Sequence, residues 1–288
     1  MTPDTPLPAA YTVSALRHTV GEWRAQGFRV GFVATMGALH AGHIALVDQA
    51  LKGADRVVTS IFVNPAQFAP GEDFDAYPRT LASDADKLAA AGAHLLYAPS
   101  AGEMYPDGYC TSVQLSGPAR GLESAARPHF FTGVATVVSK LLNQVQPDFA
   151  VFGEKDYQQL LVIKRLCADL DLNVEIVAGP TVREADGLAL SSRNAYLTAQ
   201  DRRRAAQLNI ILSEFAAALE AGAPVSQAHA DALNAAEDTF DHVDYVAARC
   251  AATLERLPQD RLDRPARVLA AVRVGRTRLI DNRAAIPS

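Results

Sequence analysis

The first 180 residues alternate between two patterns of hydrophobic positions. Short runs of apolar and β-branched residues predict buried strands, and apolar residues three and four positions apart predict amphipathic helices. The strands predicted in this way cover residues 30–34, 56–63, 93–98, 148–152 and 173–178. The predicted helices cover residues 13–26, 44–51, 80–91, 132–145 and 160–166. This alternation favours an α/β fold with a Rossmann-like, doubly wound parallel sheet.

The pattern changes after Pro180. Helical periodicity at residues 198–221 and 226–240 is followed by strand-like runs at residues 243–249, 267–274 and 277–281. Helices followed by strands predict a smaller α+β domain. We therefore expect a Rossmann-like domain at residues 1–179 and a smaller C-terminal domain at residues 180–288.

Hydroxyl side chains mark three of the predicted helix starts, at Thr132, Thr198 and Ser226. Such side chains cap helices by accepting a main-chain N–H of the first turn. Thr198 is followed three positions later by Asp201, a spacing that resembles a capping box.

The stretch T-M-G-A-L-H-A-G-H lies at residues 35–43, between the first strand and its helix. Gly37 and Gly42 permit backbone angles and close approaches that a β-carbon would block. His40 and His43 share one face of the first helical turn if the helix begins near His40. A helix start offers main-chain N–H groups and a positive dipole end, so two imidazoles there suit phosphate oxygens. The alternative is a plain strand-to-helix turn with two incidental histidines.

Two amide side chains, Asn64 and Gln67, follow the second predicted strand. Ligands of doubly wound sheets lie at the carboxyl ends of the strands, so these amides are expected at the same edge as the two histidines. An amide pairs a donor with an acceptor and can orient a small polar ligand. Alternatively, both side chains bind only the main chain of their turn.

A second strand-to-helix turn carries Gly153, Glu154, Lys155 and Asp156. A lysine suits phosphate charge, and an aspartate suits a metal ion. Taken alone, the turn is more typical of an ordinary helix start with a solvated lysine than of a ligand site.

A third polar stretch, at residues 186–194, reads D-G-L-A-L-S-S-R-N. The hydroxyls of Ser191 and Ser192 and the guanidinium of Arg193 are donors for phosphate oxygens. The alternative is that one of the serines caps the following helix.

Composition excludes several classes of protein. A hydrophobic content of 49% is ample for a packed core, and a net charge of −5 gives no basic surface for nucleic acid. No run of about eighteen apolar residues predicts a membrane span, and residues 1–6 lack a signal-peptide pattern. The cysteines, at positions 110, 167 and 250, form no C-x-x-C pair, which fits a reducing cytoplasm.

Five motifs occur in one order between residues 35 and 194. They are T-M-G-A-L-H-x-G-H, F-V-N-P-x-Q-F, E-D-x-x-x-Y-P-R-T, F-G-E-K-D-x-Q-Q and D-G-L-A-x-S-S-R-N, and R-L-I-D-N follows at residues 278–282. The H-x-G-H element resembles the signature of the nucleotidylyltransferase and class I tRNA-synthetase superfamily, and the whole series resembles the pantoate–β-alanine ligase family. In one departure, Phe130 stands where that family usually has a histidine. His129 lies one place early, so we assign it no role.

The resemblance implies an ATP-dependent ligase. Pantoate and ATP would give a pantoyl adenylate and pyrophosphate, and the amine of β-alanine would then displace AMP. The ATP site implied by the matching motifs comprises Met36, Gly37, Ala38, Leu39, His40, Ala41, Gly42, His43, Gly153, Glu154, Lys155, Asp156, Val182, Leu190, Ser191, Ser192 and Arg193. His43, His40 and Lys155 would be catalytic, with His43 as the proton donor. Asp156 would lie near Mg²⁺, and Asn64, Gln67 and Gln159 would bind the other substrates.

The resemblance also suggests a homodimer in which the domain at residues 1–179 binds ATP and pantoate. The smaller C-terminal domain at residues 180–288 would be a lid that closes over the site and excludes water from the adenylate. The expected partners are pantoate, β-alanine and ATP, with neither nucleic acid nor membrane. Two alternatives stay open. A nucleotidylyltransferase of the same superfamily would leave the nucleotide on its product, and a nucleotide sensor would bind ATP without turnover.

Overall fold

The computed structural model describes residues 6–69, 72 and 74–287. Residues 1–5 and residue 288, which include both ends of the predicted domains, lie outside the described residues. So does Asp73, the aspartate of the E-D-x-x-x-Y-P-R-T motif. The chain clusters into two compact units. The first unit comprises Met1–Leu115, Arg127–Glu154 and Val162–Pro180, and the second comprises Ser116–Ala126, Lys155–Leu161 and Thr181–Ser288. Two short segments that precede residue 180 therefore group with the C-terminal residues.

The first unit is built on a parallel sheet. Its strands are β1 (Ala9–Ala10), β2 (Val30–Thr35), β3 (Arg56–Ile61), β4 (Leu95–Tyr97), β5 (Phe149–Gly153) and β6 (Glu175–Gly179). They pair in the order β1-β4-β3-β2-β5-β6, and every pairing is parallel. The strands β2 and β5 are almost wholly buried, as expected when helices cover both faces of a parallel sheet. The predicted Rossmann-like α/β fold is confirmed, and only the two-residue edge strand β1 had no sequence signal.

The α-helices are α1 (Val13–Ala25), α2 (Ala41–Leu51), α3 (Leu81–Ala90), α4 (Ala101–Met104), α5 (Glu123–Ala126), α6 (Phe130–Val145), α7 (Tyr157–Asp169), α8 (Ala199–Glu220) and α9 (Val225–Thr239). In the first unit α1 packs against α6, and α2 packs against α3. Right-handed crossovers place these two pairs on opposite faces of the sheet. Within the described part of the chain, no helix is both long and apolar enough to cross a membrane.

The strand order reverses between β2 and β5. From β2 the chain passes through β3 to β4 on one side, and it later returns to β5 and β6 on the other. Phe32 of β2 pairs directly with Ala150 of β5. Doubly wound sheets bind ligands beside the carboxyl ends of the strands at such a reversal. Within the first unit, the turn after β2 and the end of β5 at Gly153 therefore lie at this edge.

The second unit contains an antiparallel sheet of β7 (His242–Cys250), β8 (Ala266–Val274) and β9 (Thr277–Ala285), paired in that order. Helix α8 packs against β8 and β9, and α9 packs against β7. Leu212 and Phe215 of α8 and Val268 and Val272 of β8 belong to one buried cluster between these layers. The predicted smaller α+β domain is confirmed.

Of the three predicted caps, only Thr198 is confirmed. Its hydroxyl accepts the main-chain N–H of Asp201 at 3.1 Å at the start of α8. Thr132 is wrong as a cap because α6 already begins at Phe130. Ser226 is also wrong, since α9 begins one residue earlier and the Ser226 hydroxyl instead donates to Asp260 at 2.7 Å.

Candidate active site

The two histidines of the H-x-G-H motif close the turn after β2. Helix α2 begins at Ala41, and His40 is its N-cap residue. Nδ1 of His40 accepts the main-chain N–H of Gly42 at 3.1 Å, and Nδ1 of His43 accepts that of His40 at 3.3 Å. The two ring centroids lie 4.0 Å apart. The predicted sharing of one helix face is confirmed, and the pair forms a capping box made of two imidazoles.

These hydrogen bonds assign the tautomers of both rings. A ring nitrogen that accepts a hydrogen bond carries no proton, so the neutral imidazoles of His40 and His43 each bear their proton on Nε2. Each ring then offers an N–H donor without carrying a positive charge. Two such donors beside the positive end of the α2 dipole suit an anionic oxygen.

Asp84 of α3 determines the backbone of the same turn. Its fully buried carboxylate accepts the main-chain N–H groups of Ala38 at 2.8 Å and Leu39 at 2.9 Å. The Thr80 hydroxyl donates to it at 2.9 Å, and the Lys87 ammonium lies 3.6 Å away. A buried carboxylate is costly unless it is hydrogen-bonded and paired. These partners meet that requirement, and they link the turn rigidly to α3.

A side chain at Gly37 would disturb this turn directly. Its φ of +85° lies in the left-handed region, which favours glycine. A β-carbon there would lie 3.2 Å from Oδ2 of Asp84 and 3.2 Å from Cγ2 of Ile61. Glycine is therefore favoured at this position both by the backbone angle and by the close contact that a β-carbon would make with Asp84.

Asn64 supports Gln67 after β3. Asn64 is only 1% exposed, and its amide donates to Oε1 of Gln67 at 3.1 Å and to the carbonyl of Gly133 at 3.2 Å. Its oxygen accepts the Tyr105 hydroxyl at 2.7 Å and a main-chain N–H of the turn at 3.3 Å. Both donors and both acceptor positions are used within the protein. Direct contact between Asn64 and a substrate stays a prediction.

Gln67 connects two of the predicted site stretches. Its side-chain Nε2 lies 2.9 Å from the sulfur of Met36, and its main-chain carbonyl accepts from the guanidinium of Arg127 at 3.0 Å. Arg127 also binds the carboxylate of Glu72 through two contacts of 2.7 and 2.6 Å. The ring of Phe130 lies 4.0 Å from the guanidinium carbon of Arg127. Phe130, the departure from the family pattern, thus stabilises a cation beside Gln67.

In the second unit, the candidate charges Lys155 and Asp156 lie side by side in the 3₁₀ turn Glu154–Asp156. Nζ of Lys155 lies 3.9 Å from a carboxylate oxygen of Asp156. The Lys155 side chain is 20% exposed and that of Asp156 is 43% exposed. A pair this accessible remains able to exchange its mutual contact for a ligand.

The two neighbouring glutamines of this segment differ sharply. Gln158 is buried and donates to the carbonyls of Pro118 and Gly121, while its oxygen accepts the main-chain N–H of Glu123. The Gln159 side chain is half-buried and makes no hydrogen bond to the described part of the chain. Gln158 is therefore structural, whereas a role for Gln159 in binding a substrate stays a prediction.

Residues 181–190 form a short hairpin. The carbonyl of Val182 accepts the main-chain N–H of Leu190 at 3.0 Å. Ser191 follows, and its hydroxyl accepts the N–H of Arg193 at 3.3 Å, which caps the 3₁₀ turn Ser192–Tyr196. Ser191 therefore caps a 3₁₀ turn, whereas the following α-helix, α8, is capped by Thr198. The side chains of Ser192 and Arg193 are half-buried.

The R-L-I-D-N motif of β9 begins with a buried ion pair. Arg278 donates to both carboxylate oxygens of Glu123 at 2.8 Å and to Asp244 at 2.6 Å. Burial by itself lowers the pKa of Arg278, but its hydrogen bonds to the two carboxylates outweigh this and raise the pKa above its usual value. The guanidinium is therefore permanently charged, and it joins Glu123 of the segment Ser116–Ala126 to the β-sheet.

The last two residues of the motif, Asp281 and Asn282, contact the two segments of this unit that are predicted to bind the nucleotide. Asp281, buried, accepts from the guanidinium of Arg183 at 2.6 and 2.9 Å. Asn282 donates through its amide to the main-chain carbonyl of Lys155 at 2.8 Å. Adjacent residues of one strand thus contact the hairpin and the lysine turn.

The predicted site residues fall into two sets. In the first unit the described structure holds residues 36–43, Asn64, Gln67, Gly153 and Glu154, and in the second it holds Lys155, Asp156, Gln159, Val182 and residues 190–193.

Three supporting residues were missed as site residues: Asp84, Arg127 and Asn282. Asp84 had a signal, since a carboxylate stands among Leu81, Ala85 and Leu88 on the apolar side of a helix.

The fold and the site define an α/β protein with a Rossmann-like sheet and a helix capped by two histidines at the reversal of its strand order. A family model described as pantoate-beta-alanine ligase matches residues 9–284. The chain belongs to the pantoate-beta-alanine ligase family and is an enzyme of the ligase class.

Known relatives resemble the chain over almost its whole length. A pantothenate synthetase of Maricaulis maris is 64% identical over 281 residues, which cover 98% of each chain. The crystal structure of a pantothenate synthetase from Thermus thermophilus has a TM-score of 0.91 and 45% identity, and it covers 98% of this chain and 100% of that one. A pantoate-beta-alanine ligase from Francisella tularensis, complexed with beta-gamma ATP and beta-alanine, has a TM-score of 0.79 and 34% identity over 96% of this chain and 97% of that one.

Proposed function

We propose that this ligase condenses pantoate with β-alanine at the expense of ATP. In the first step a carboxylate oxygen of pantoate attacks the α-phosphorus, and the bond from that phosphorus to the pyrophosphate oxygen breaks. In the second step the amine of β-alanine attacks the acyl carbon of the pantoyl adenylate, loses a proton and displaces AMP. The products are pantothenate, AMP and pyrophosphate.

The observation that carries this proposal is the two-imidazole cap of α2, at the strand reversal, in a chain of this ligase family. The first step brings a carboxylate up to a triphosphate, and these two anions repel each other. Catalysis must therefore come from charge stabilisation and from positioning. Donors that are already oriented before the reaction are effective because they need no rearrangement as charge develops.

The first unit supplies the two histidines and an amide. The Nε2–H groups of His40 and His43 donate hydrogen bonds to phosphate oxygens, with His43 as the hydrogen-bond donor to the departing pyrophosphate. The rest of the turn, residues 36–42, lies against ATP, as do Gly153 and Glu154. Gln67 binds pantoate and faces β-alanine, in an orientation supported by its bond to Asn64.

In the second unit, Lys155 reaches the phosphates, and Val182 and residues 190–193 contact ATP. Gln159 binds pantoate, which is consistent with an amide that bonds nothing in the described part of the chain. We retain residues 1–179 as the ATP- and pantoate-binding domain and residues 180–288 as a lid that excludes water from the adenylate.

The donor set fits a Mg²⁺ ion that is bound mainly by the nucleotide. No group of three or more His, Cys, Asp or Glu side chains that could hold a metal occurs among the described residues. Mg²⁺ commonly binds through one or two carboxylates together with substrate phosphates and water. Asp156, with its exposed carboxylate, would be the protein ligand. The ion would offset phosphate charge during the first step.

The family resemblance also supports a cytoplasmic homodimer whose partners are ATP, pantoate and β-alanine. The relative from Francisella tularensis, complexed with beta-gamma ATP and beta-alanine, supports two of these three ligands.

The test is a pyrophosphate-release assay on the purified chain with ATP and Mg²⁺. We expect pyrophosphate only when pantoate is present, and AMP in the medium only after β-alanine is added. A stable nucleotide-bearing product would instead indicate a nucleotidylyltransferase. Tight ATP binding without pyrophosphate would indicate a sensor. His43→Ala and Lys155→Ala are expected to reduce adenylate formation by about a hundred- to a thousand-fold. In His43→Ala this loss should far exceed the effect on stability of removing the hydrogen bond to the His40 main chain.

A further inference from the structure

The amide of Asn282 is oriented by a second residue. Its oxygen accepts from Nε of Arg267 at 2.6 Å, so the NH₂ group must face the Lys155 carbonyl, to which it donates at 2.8 Å. The same guanidinium lies 4.2 Å from the ring centre of Tyr157. Arg267 and Asn282 therefore contact the chain on both sides of Asp156. The geometry leaves the amide only one orientation that satisfies both partners.

Strand β9 is a stable support for these contacts. It pairs with β8 from Thr277 to Ala285, and Asn282 lies opposite Leu269 in that ladder. The preceding residue, Asp281, binds Arg183 of the hairpin, and its carboxylate also accepts the main-chain N–H of Asn282 at 2.7 Å. One short stretch of strand thus positions two segments that lie far apart in the chain.

We infer that Asn282 is a positioning residue for the reaction: it sets the main chain of Lys155, and thereby the reach of the ammonium toward the triphosphate. This rests on the proposed function, in which Lys155 contacts the phosphates. Asp281, through its ion pair with Arg183, likewise positions the hairpin that carries Val182. The polar end of the R-L-I-D-N motif therefore serves nucleotide binding although neither of its side chains need touch the nucleotide.

The change Asn282→Asp separates positioning from folding. The carboxylate keeps the acceptor that Arg267 uses, but it replaces the donor with an oxygen that faces the Lys155 carbonyl. Two facing oxygens repel, so the lysine turn must move while the contact with Arg267 is retained. A displacement of about 1 Å in a binding group can cost about a hundred-fold in rate.

The experiment is a double-mutant cycle on ATP affinity, with the full chain and ATP as the probe. Dissociation constants are measured for the wild type, Asn282→Asp, Lys155→Ala and the double variant. We expect Asn282→Asp to weaken ATP binding by about ten-fold or more and to leave AMP binding unchanged, because the ammonium acts on the outer phosphates. We expect no further weakening when Lys155 is already alanine. Equal weakening in both backgrounds, or none in either, overturns the inference.

Asn209→Asp is the matched control. Asn209 of α8 also accepts from an arginine of β9, Arg283, but its hydrogen bonds within the described part of the chain do not include Lys155. We expect ATP affinity to be unchanged in this variant. If Lys155→Ala binds ATP as tightly as the wild type, the role given to that lysine in the proposed function falls, and the inference falls with it. If Lys155→Ala binds weakly and the two changes are additive, only the inference falls.

Discussion

His43 accepts the main-chain N–H of His40 through Nδ1 at 3.3 Å, so the side chain of one histidine holds the backbone of the other. This bond and its counterpart, from Gly42 to His40, leave Nε2 as the protonated nitrogen of each neutral ring. Structure and chemistry thus use opposite sides of the same imidazoles. The two roles can be separated by mutation.

His40→Asn tests this separation. Asparagine is a good N-cap residue, so we expect the stability of the protein to change little, whereas His40→Ala should cost about 0.5–2 kcal/mol. Both variants lose the imidazole, and both should lose about a hundred- to a thousand-fold in pyrophosphate formation. Urea unfolding and the pyrophosphate assay measure the two effects. Near-normal activity in His40→Asn would mean that the ring serves only as a cap.

Asp84→Asn tests the support of the histidine turn. The amide keeps one acceptor but loses the charge that pairs with Lys87 and one of the oxygens that accept from Ala38 and Leu39. We expect a loss of about 1–3 kcal/mol in the free energy of unfolding, together with a higher KM for ATP. Asp86→Asn, an exposed change in the same helix, is the control and should alter neither quantity. A KM for ATP equal to that of the wild type would contradict a role for Asp84 in shaping this turn.

Gly133→Ala tests the position of the Gln67 turn. A β-carbon on Gly133 would lie 2.2 Å from the carbonyl oxygen of Ala66, and that oxygen belongs to backbone that cannot yield cheaply. We expect a loss of about 1–3 kcal/mol in stability and a higher KM for pantoate. Gly21→Ala in α1 is the matched control, since nothing lies within 4 Å of its β-carbon. That change should stabilise the protein by about 0.5–1 kcal/mol and leave activity intact.

The neighbouring glutamines provide a paired prediction. Gln158→Ala removes a buried amide and leaves the carbonyls of Pro118 and Gly121 without their donor, so it should cost about 1–3 kcal/mol of stability. Gln159→Ala should change stability by less than about 0.5 kcal/mol but raise the KM for pantoate. Denaturant unfolding and steady-state kinetics distinguish the two. A normal KM in Gln159→Ala would remove this residue from the pantoate site.

Local elements were predictable because their signals are local. The strand predicted at residues 30–34 is Val30–Thr35, and the helix predicted to begin at residue 44 begins at Ala41. The prediction missed the first turn of α2 for a physical reason. Its N-cap is His40, whose ring does what Ser, Thr, Asp or Asn usually do, so no ordinary capping signal marks the start.

Contacts between distant segments were not predictable from one sequence. Asp84 and Ala38 are 46 residues apart in the chain, and Asn282 and Lys155 are 127 apart. Nothing in the spacing of either pair indicates that a carboxylate meets two main-chain N–H groups or that an amide meets a carbonyl. The grouping of Lys155–Leu161 with the C-terminal unit depends on contacts of this kind.

The sequence by itself determined the α/β class, the order of the strands and helices, and the candidate chemistry that follows β2, β3 and β5, because periodicity and motif spacing are properties of neighbouring residues. Only the tertiary structure decided which nitrogen of each histidine carries the proton, that Asn64 is saturated whereas Gln159 is not, and that β9 supports Lys155. Each of these outcomes depends on the exact placement of a donor and an acceptor, and folding alone brings such groups within hydrogen-bonding distance.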